Sequence, residues 1–201
     1  MNTQEIIDIE DKYFINTFNR VPIVLDHGKG VKVWDIEGNE YLDFLAGIAV
    51  SCLGHCHPKL VKAIQDQAEK IIHTSSIYYN EPATVYAKRL VDATEFDRIF
   101  FANSGAEANE GALKLAIKYS GKHEVLFCGD SFHGRTFLTL SVTDHPEYSA
   151  PYSLNMPRGF KKVEYGNLES IREAIGDDTA AIIIEPVQGE GGVNIADAEF
   201  Y

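Results

Sequence analysis

Phe101-Ala102-Asn103-Ser104-Gly105-Ala106-Glu107-Ala108-Asn109-Glu110 brings together the residue types that hold a phosphate. An apolar run, Arg98 to Phe101, feeds an Asn-Ser-Gly turn, and a helix-forming run from Ala106 to Tyr119 begins at once. The first N–H groups of a helix lack intrahelical partners, the helix dipole adds partial positive charge, and Gly105 admits close backbone approach. The same residues also make an ordinary N-cap and turn, so the stretch alone leaves both readings open. A second cluster is Ser131-Phe132-His133-Gly134-Arg135-Thr136. An aromatic face there can stack on a heteroaromatic ring, and a guanidinium takes a carboxylate in a two-pronged grip. The third is Glu185-Pro186-Val187-Gln188-Gly189-Glu190-Gly191-Gly192. Glu185 ends an apolar run, where a carboxylate costs desolvation unless it is paired. Glu190 sits among glycines, where a charge can change partners.

Two other chemistries are weaker. Cys52, His55, Cys56 and His57 invite a zinc reading. Consecutive residues point in different directions, however, and no second ligand pair follows at finger spacing, so no metal is expected. No Gly-x-Gly-x-x-Gly follows a strand, which argues against a dinucleotide-dependent oxidoreductase.

The elements that must position these clusters show in the patterning. Ile7 to Phe18 has apolar residues at roughly helical spacing. Val31–Trp34 and Glu40–Phe44 flank Asp35-Ile36-Glu37-Gly38-Asn39 as a hairpin with a Gly-containing turn. Pro58 to Ile72 predicts a helix with Leu60, Val61, Ile64, Ala68, Ile71 and Ile72 on one face, and Ala83 to Val91 a second. Then follow a strand over 98–101, a helix over 106–119, strands over 124–127 and 161–164, a helix over 168–175 and a strand over 180–184. His145 to Gly159, with three prolines, reads as a long ordered loop. Alternating strands and helices predict an α/β fold with a mostly parallel sheet flanked by helices. Ala180–Ile184 is continuously apolar, as a strand buried on both faces should be. In such sheets ligands gather beyond the carboxyl ends of the strands, and all three clusters lie at strand ends.

Composition limits the partners. With 18 basic against 30 acidic residues the net charge is -12, which argues against nucleic acid. The longest apolar stretch, Phe44 to Leu53, is about half of a membrane span, so no membrane partner is expected. The N-terminal residues carry no basic region of the kind a signal or transit peptide has, and three cysteines do not suggest a disulfide framework. The expectation is a cytoplasmic protein.

The clusters together, with Gly54-His55-Cys56-His57-Pro58 and Ser76-Ile77-Tyr78-Tyr79-Asn80-Glu81-Pro82, resemble the class III pyridoxal-phosphate-dependent aminotransferases. The wording of Phe101–Asn109 and of the Gly-His-Cys-His-Pro loop is closest to the family's acetylornithine branch. The ornithine, succinylornithine and 4-aminobutyrate branches are the alternatives. The resemblance implies a type I PLP-dependent transferase fold, with residues 1–50 as the small-domain part and 51–201 as the first part of the PLP-binding large domain. It implies pyridoxal 5'-phosphate as cofactor, small-molecule amino acid and 2-oxo acid substrates, and a homodimer with active sites at the subunit interface. Amino transfer would run between N-acetylornithine and 2-oxoglutarate, in arginine biosynthesis.

The resemblance also implies residue roles. Gly105 and Ala106 would donate backbone N–H groups to the cofactor phosphate, with Ser104 close by. Phe132, with His133 beside it, would stack on the ring, and Glu185 would lie near cofactor and substrate. Arg135 would hold a substrate carboxylate. Glu190 would partner an arginine from the C-terminal part of a full-length relative. Tyr78-Tyr79-Asn80 would reach toward the neighbouring subunit. Family members are longer, and their second half supplies the Schiff-base lysine, an Asp for the pyridine nitrogen, a phosphate-binding Thr and that arginine. Lys114 and Lys118 lie beyond the first turn of the cradle helix and offer no substitute. The expectation is therefore an incomplete enzyme when these residues stand alone, or a non-catalytic subunit.

Overall fold

In the computed structural model, which describes residues 1–201, Asn2 and Glu5 cap the first helix reciprocally. The Asn2 side chain accepts the Glu5 N–H at 2.9 Å, and the Glu5 carboxylate accepts the Asn2 N–H at 3.0 Å. Helix α1 therefore spans Thr3–Tyr13 rather than residues 7–18. Beyond it Arg20 folds back, pairing with Glu10 at 2.7 Å and lying over the Phe14 and Phe18 rings. Those contacts hold the segment in a non-helical path.

Residues Met1–Thr84 form one compact unit and Val85–Tyr201 a second. In the first unit β1 (Leu25–Lys29), β2 (Lys32–Asp35) and β3 (Glu40–Leu42) make an antiparallel sheet in that order. Asp35 organises the β2–β3 turn. It accepts from the Glu37 and Asn39 N–H groups, the Asn39 amide and the Tyr41 hydroxyl, which pull its carboxyl down to about 2. Ala46, Gly47, Ile48 and Ala49 then all have positive φ. Such a run costs about 1–2 kcal/mol for each non-glycine residue. Asp43 anchors it by accepting from Leu45, Ala46 and the His55 ring. Helix α2 (Pro58–Ala68) starts at the proline and stops short of Ile71 and Ile72, and none of its residues is buried. Helix α3 spans Glu81–Asp92.

The second unit is built on a parallel sheet. Strand β4 (Glu124–Cys128) lies between β5 (Phe160–Val163) and β6 (Thr179–Ile183). Its side chains alternate into two cores. Leu126 and Cys128 pack with Val163, Ile171, Ala174 and Phe200 on one face. Val125 and Phe127 pack with Leu113 and Val142 on the other. Helix α7 (Leu168–Ala174) serves the first face and α4 (Gly105–Ser120) the second. The remaining short helices are α5 (Phe137–Leu140), α6 (Pro146–Ser149) and the 3-10 turns Ala150–Tyr152 and Ala198–Phe200, so the loop expected over 145–159 contains two helical turns.

Two strand expectations are corrected. Residues 98–101 form no strand, because no segment pairs with them and a strand exists only through its ladder; Phe100 remains exposed. The run 180–184 is not buried on both faces. It supplies most of the edge strand β6, where Ile182 is 36% exposed, and the doubly covered strand is β4. No helix is long and apolar enough to cross a membrane.

Candidate cofactor and substrate site

Helix α4 begins as its local chemistry dictates. Ser104 is extended, its hydroxyl accepts the Glu107 N–H at 3.2 Å, and Glu107 in turn accepts the Asn103 N–H at 2.7 Å. The first helical bond runs from Ala108 N–H to Ser104 O at 3.0 Å. The N–H groups of Gly105 and Ala106 are left without protein acceptors. A Cβ placed on Gly105 meets no atom within 4 Å, so the space beside this residue is open. Two free N–H groups at the positive end of a helix can take an anion.

The loop after β4 is docked on the same helix. Asn109 donates its amide to His133 O at 2.9 Å, and the Thr136 hydroxyl bonds the Glu110 carboxylate. Gly134 has φ +137°, and a Cβ there would stand 2.7 Å from the Ala106 Cβ and 2.5 Å from Thr139 Oγ1. Buried Thr143 accepts the His133 N–H at 2.9 Å, and Ser131 donates to Val142 O at 2.9 Å. The loop is thus fixed from beneath while Phe132 stays half-buried and Arg135 exposed. The Arg135 guanidinium lies 5.9 Å from the Phe132 ring centre and 4.5 Å from that of Tyr148. The His133 ring is buried, its Nε2 has no partner, and burial lowers its pKa to about 4, so it is neutral.

The third cluster joins the second. The Glu185 carboxylate accepts the Phe132 N–H at 3.2 Å. Burial raises its pKa, the Phe132 bond and His145 act the other way, and Glu190 reinforces the rise. Glu190 is exposed. Fully buried Gln188 donates to Gly129 O at 2.6 Å and ties the glycine-rich loop to the end of β4.

A raised carboxyl pKa means the folded state binds this proton more tightly than the unfolded state does. Stability is then lost as pH rises from the ordinary carboxyl range through the raised value. Glu185→Gln should accordingly raise the Tm at pH 7, with the difference vanishing below about pH 4. Thermal unfolding at the two pH values checks this, and an unchanged or lower Tm at pH 7 contradicts it.

Outside the three clusters, Tyr78 and Tyr79 are exposed and Asn80 caps α3 through the Ala83 N–H. His55 is engaged by Asp43 at 2.6 Å, and no group of three or more His, Cys, Asp or Glu is arranged to hold a metal ion.

Residues 14–201 match the Aminotransferase class-III family. The chain belongs to that family. Class III aminotransferases are pyridoxal-phosphate enzymes. The acetylornithine aminotransferase of Methanothermobacter thermautotrophicus is 54% identical over 195 residues, covering 97% of this chain and 50% of that protein. That of Methanocaldococcus jannaschii is 51% identical, covering 100% of this chain and 52% of that protein. Among solved structures, the ornithine aminotransferase from Toxoplasma gondii ME49 superposes with a TM-score of 0.94 at 32% identity, over 100% of this chain and 49% of that one. The acetylornithine aminotransferase from Elizabethkingia anophelis gives 0.82 at 31%, over 100% and 48%. The chain spans about half the length of the curated relatives it matches.

Sequence patterns singled out Ser104, Gly105, Ala106, Phe132, His133, Arg135, Glu185 and Glu190, but not their supports. Those supports are Asn109, Thr139, Thr143, Tyr148 and Gln188. Asn109 alone carried a local signal, a polar residue on the inward side of α4 one turn past the cap. The others act through contacts that only chain reversal creates.

Proposed function

We propose that these residues form the cofactor-phosphate and substrate-carboxylate part of an acetylornithine transaminase, which exchanges an amino group between N-acetylornithine and 2-oxoglutarate. The observation that carries the proposal is the convergence of the free Gly105 and Ala106 N–H groups, the Phe132 ring and the Glu185 carboxylate through direct contacts between three loops. The open space at Gly105 and its paired donors fit the phosphate of pyridoxal phosphate. The half-buried Phe132 fits the ring. When bound, that cofactor supplies the electron sink that lets an amino group move between carbon skeletons.

This chain's residues bind and orient. Gly105 and Ala106 hold the phosphate, with the Ser104 hydroxyl beside them, and Phe132 covers the ring, its loop braced by buried His133. Glu185 accepts the Phe132 N–H and fixes the loop that carries the ring. Arg135, which has no carboxylate partner within the protein, grips a substrate carboxylate. Glu190 provides an exchangeable carboxylate for an arginine. A cytoplasmic homodimer, with Tyr78-Tyr79-Asn80 facing the second subunit, belongs to the same proposal.

Ornithine as donor is the second reading, favoured by the fit to the Toxoplasma gondii structure. Single-turnover amino transfer by the full-length protein separates the two. N-acetylornithine should react at least about tenfold faster than ornithine, equivalent to 1.4 kcal/mol. Equal rates, or ornithine the faster, would remove the acetylornithine assignment.

A further inference from the structure

Arg135 is the carboxylate anchor in the proposed function, yet no charged or hydrogen-bonding partner fixes where the guanidinium points. It makes no ion pair and donates no hydrogen bond within the protein. Its contacts are two ring faces. Tyr148 lies closer, with the guanidinium carbon 4.5 Å from its ring centre against 5.9 Å for Phe132. We propose that Tyr148 is the positioning residue for Arg135. The inference rests on the reading of Arg135 as the anchor.

The geometry suits that task. A guanidinium resting on a ring face keeps its donors in its own plane, where a carboxylate takes two of them at once. A carboxylate partner within the protein would have used those donors and competed with substrate. Stacking fixes the position of the charge and leaves the fork free.

Tyr148 is itself held. Its ring lies against that of His145, tilted by 31° with the centres 5.2 Å apart, and His145 meets the Phe132 ring edge-on at 6.3 Å. Phe132, Arg135, Tyr148 and His145 thereby close a circuit in which each group touches two others. The segment entering α6 is pinned to the Phe132 loop by Asp144 N–H donating to Ser131 O at 2.9 Å, and Tyr148 N–H donates to His145 O at 2.9 Å. The Tyr148 hydroxyl makes no hydrogen bond, so the ring face is the part in use. Phe132 faces the proposed cofactor, and Tyr148 thus links the ring-binding and carboxylate-binding groups of one loop.

The test uses the full-length protein with pyridoxal phosphate bound and glutarate, an unreactive dicarboxylate, as probe. Glutarate affinity is measured by calorimetry for wild type, Tyr148→Phe, Tyr148→Leu and Arg135→Gln, with cofactor affinity measured alongside. Tyr148→Leu should weaken glutarate about 3- to 30-fold, the range a partly desolvated cation–ring contact supplies, and leave cofactor affinity within about twofold. Tyr148→Phe should retain wild-type affinity, because it keeps the face and removes only an unbonded hydroxyl. A loss in Tyr148→Phe overturns the proposal even if Tyr148→Leu fails to fold. Unchanged glutarate binding in Tyr148→Leu, or an equal loss of cofactor, overturns it too. Unchanged binding in Arg135→Gln overturns the anchor reading and this inference together, whereas loss there without loss in Tyr148→Leu overturns only the inference.

Discussion

Replacing Gly105 with proline should weaken pyridoxal-phosphate binding by about 10- to 100-fold and leave the protein as stable as before, or slightly more so. The substitution removes one N–H and almost nothing else. Gly105 is the first residue of α4, the position at which proline is most at home in a helix. Ser104 already has the extended backbone a following proline demands, with φ -150° and ψ 162°. A Cβ on Gly105 meets no atom within 4 Å. The lost N–H has no acceptor inside the protein, so the free fold loses no hydrogen bond, and the stiffer unfolded chain adds up to about 1 kcal/mol of stability. A bond from an N–H to a charged acceptor contributes about 1.5–3 kcal/mol, hence the tenfold to hundredfold range. Titration of the full-length protein with pyridoxal phosphate and with pyridoxal, which lacks the phosphate, provides the check. Only the phosphorylated form should lose affinity. Equal losses would mean that the helix start had moved, and no loss would mean that the phosphate binds elsewhere.

That experiment works because the start of α4 is decided locally. Ser104, Glu107 and Gly105 lie within one turn of one another, so their bonds follow from spacing alone, and the sequence shows them. The Asp35 turn is equally local, yet its four-donor arrangement is not apparent from a Gly-containing hairpin pattern. Strands are less legible. Arg98–Phe101 has strand composition and no partner, and Ala180–Ile184 has the composition of an interior strand but lies at an edge. Composition reports what a strand could bury, whereas burial depends on what lies beside it. The site divides the same way. Phe132 and Glu185 are 53 positions apart; the gathering of ligands at strand ends and the family resemblance connect them in the sequence, and the fold adds the hydrogen bond between them. Tyr148 lies thirteen residues beyond Arg135, past a helical turn and a reversal at Asp144. No periodicity connects them, so the support of the anchor emerged only from the fold.

The reversal makes Gly134 the most sensitive position of the loop. Gly134→Ala should destabilise the protein by about 2–6 kcal/mol and abolish measurable cofactor binding with it. Two costs combine. At φ +137° the backbone occupies a region that side-chain-bearing residues avoid, at about 1–3 kcal/mol. The added methyl would stand 2.5 Å from Thr139 Oγ1 and 2.7 Å from the Ala106 Cβ, and overpacking of this kind costs about 1–3 kcal/mol. Neither neighbour can withdraw freely. Ala106 is in the first turn of α4, beside the proposed phosphate donors, and Thr139 is fully buried and bonded to Thr136. Relief would push the Phe132 loop off the helix start and separate ring binding from phosphate binding. Chemical denaturation gives the stability loss, and a Thr139→Ala background apportions it. Removing Oγ1 opens the tighter contact and leaves φ unchanged, so Gly134→Ala should cost less in that background than in wild type. An identical cost in both backgrounds would assign the effect to the backbone and the Ala106 contact, with none left to the Thr139 hydroxyl. A loss below about 1 kcal/mol in wild type would show that the loop can leave the helix without penalty, and that the contact between Gly134 and Ala106 does not hold the two halves of the site together.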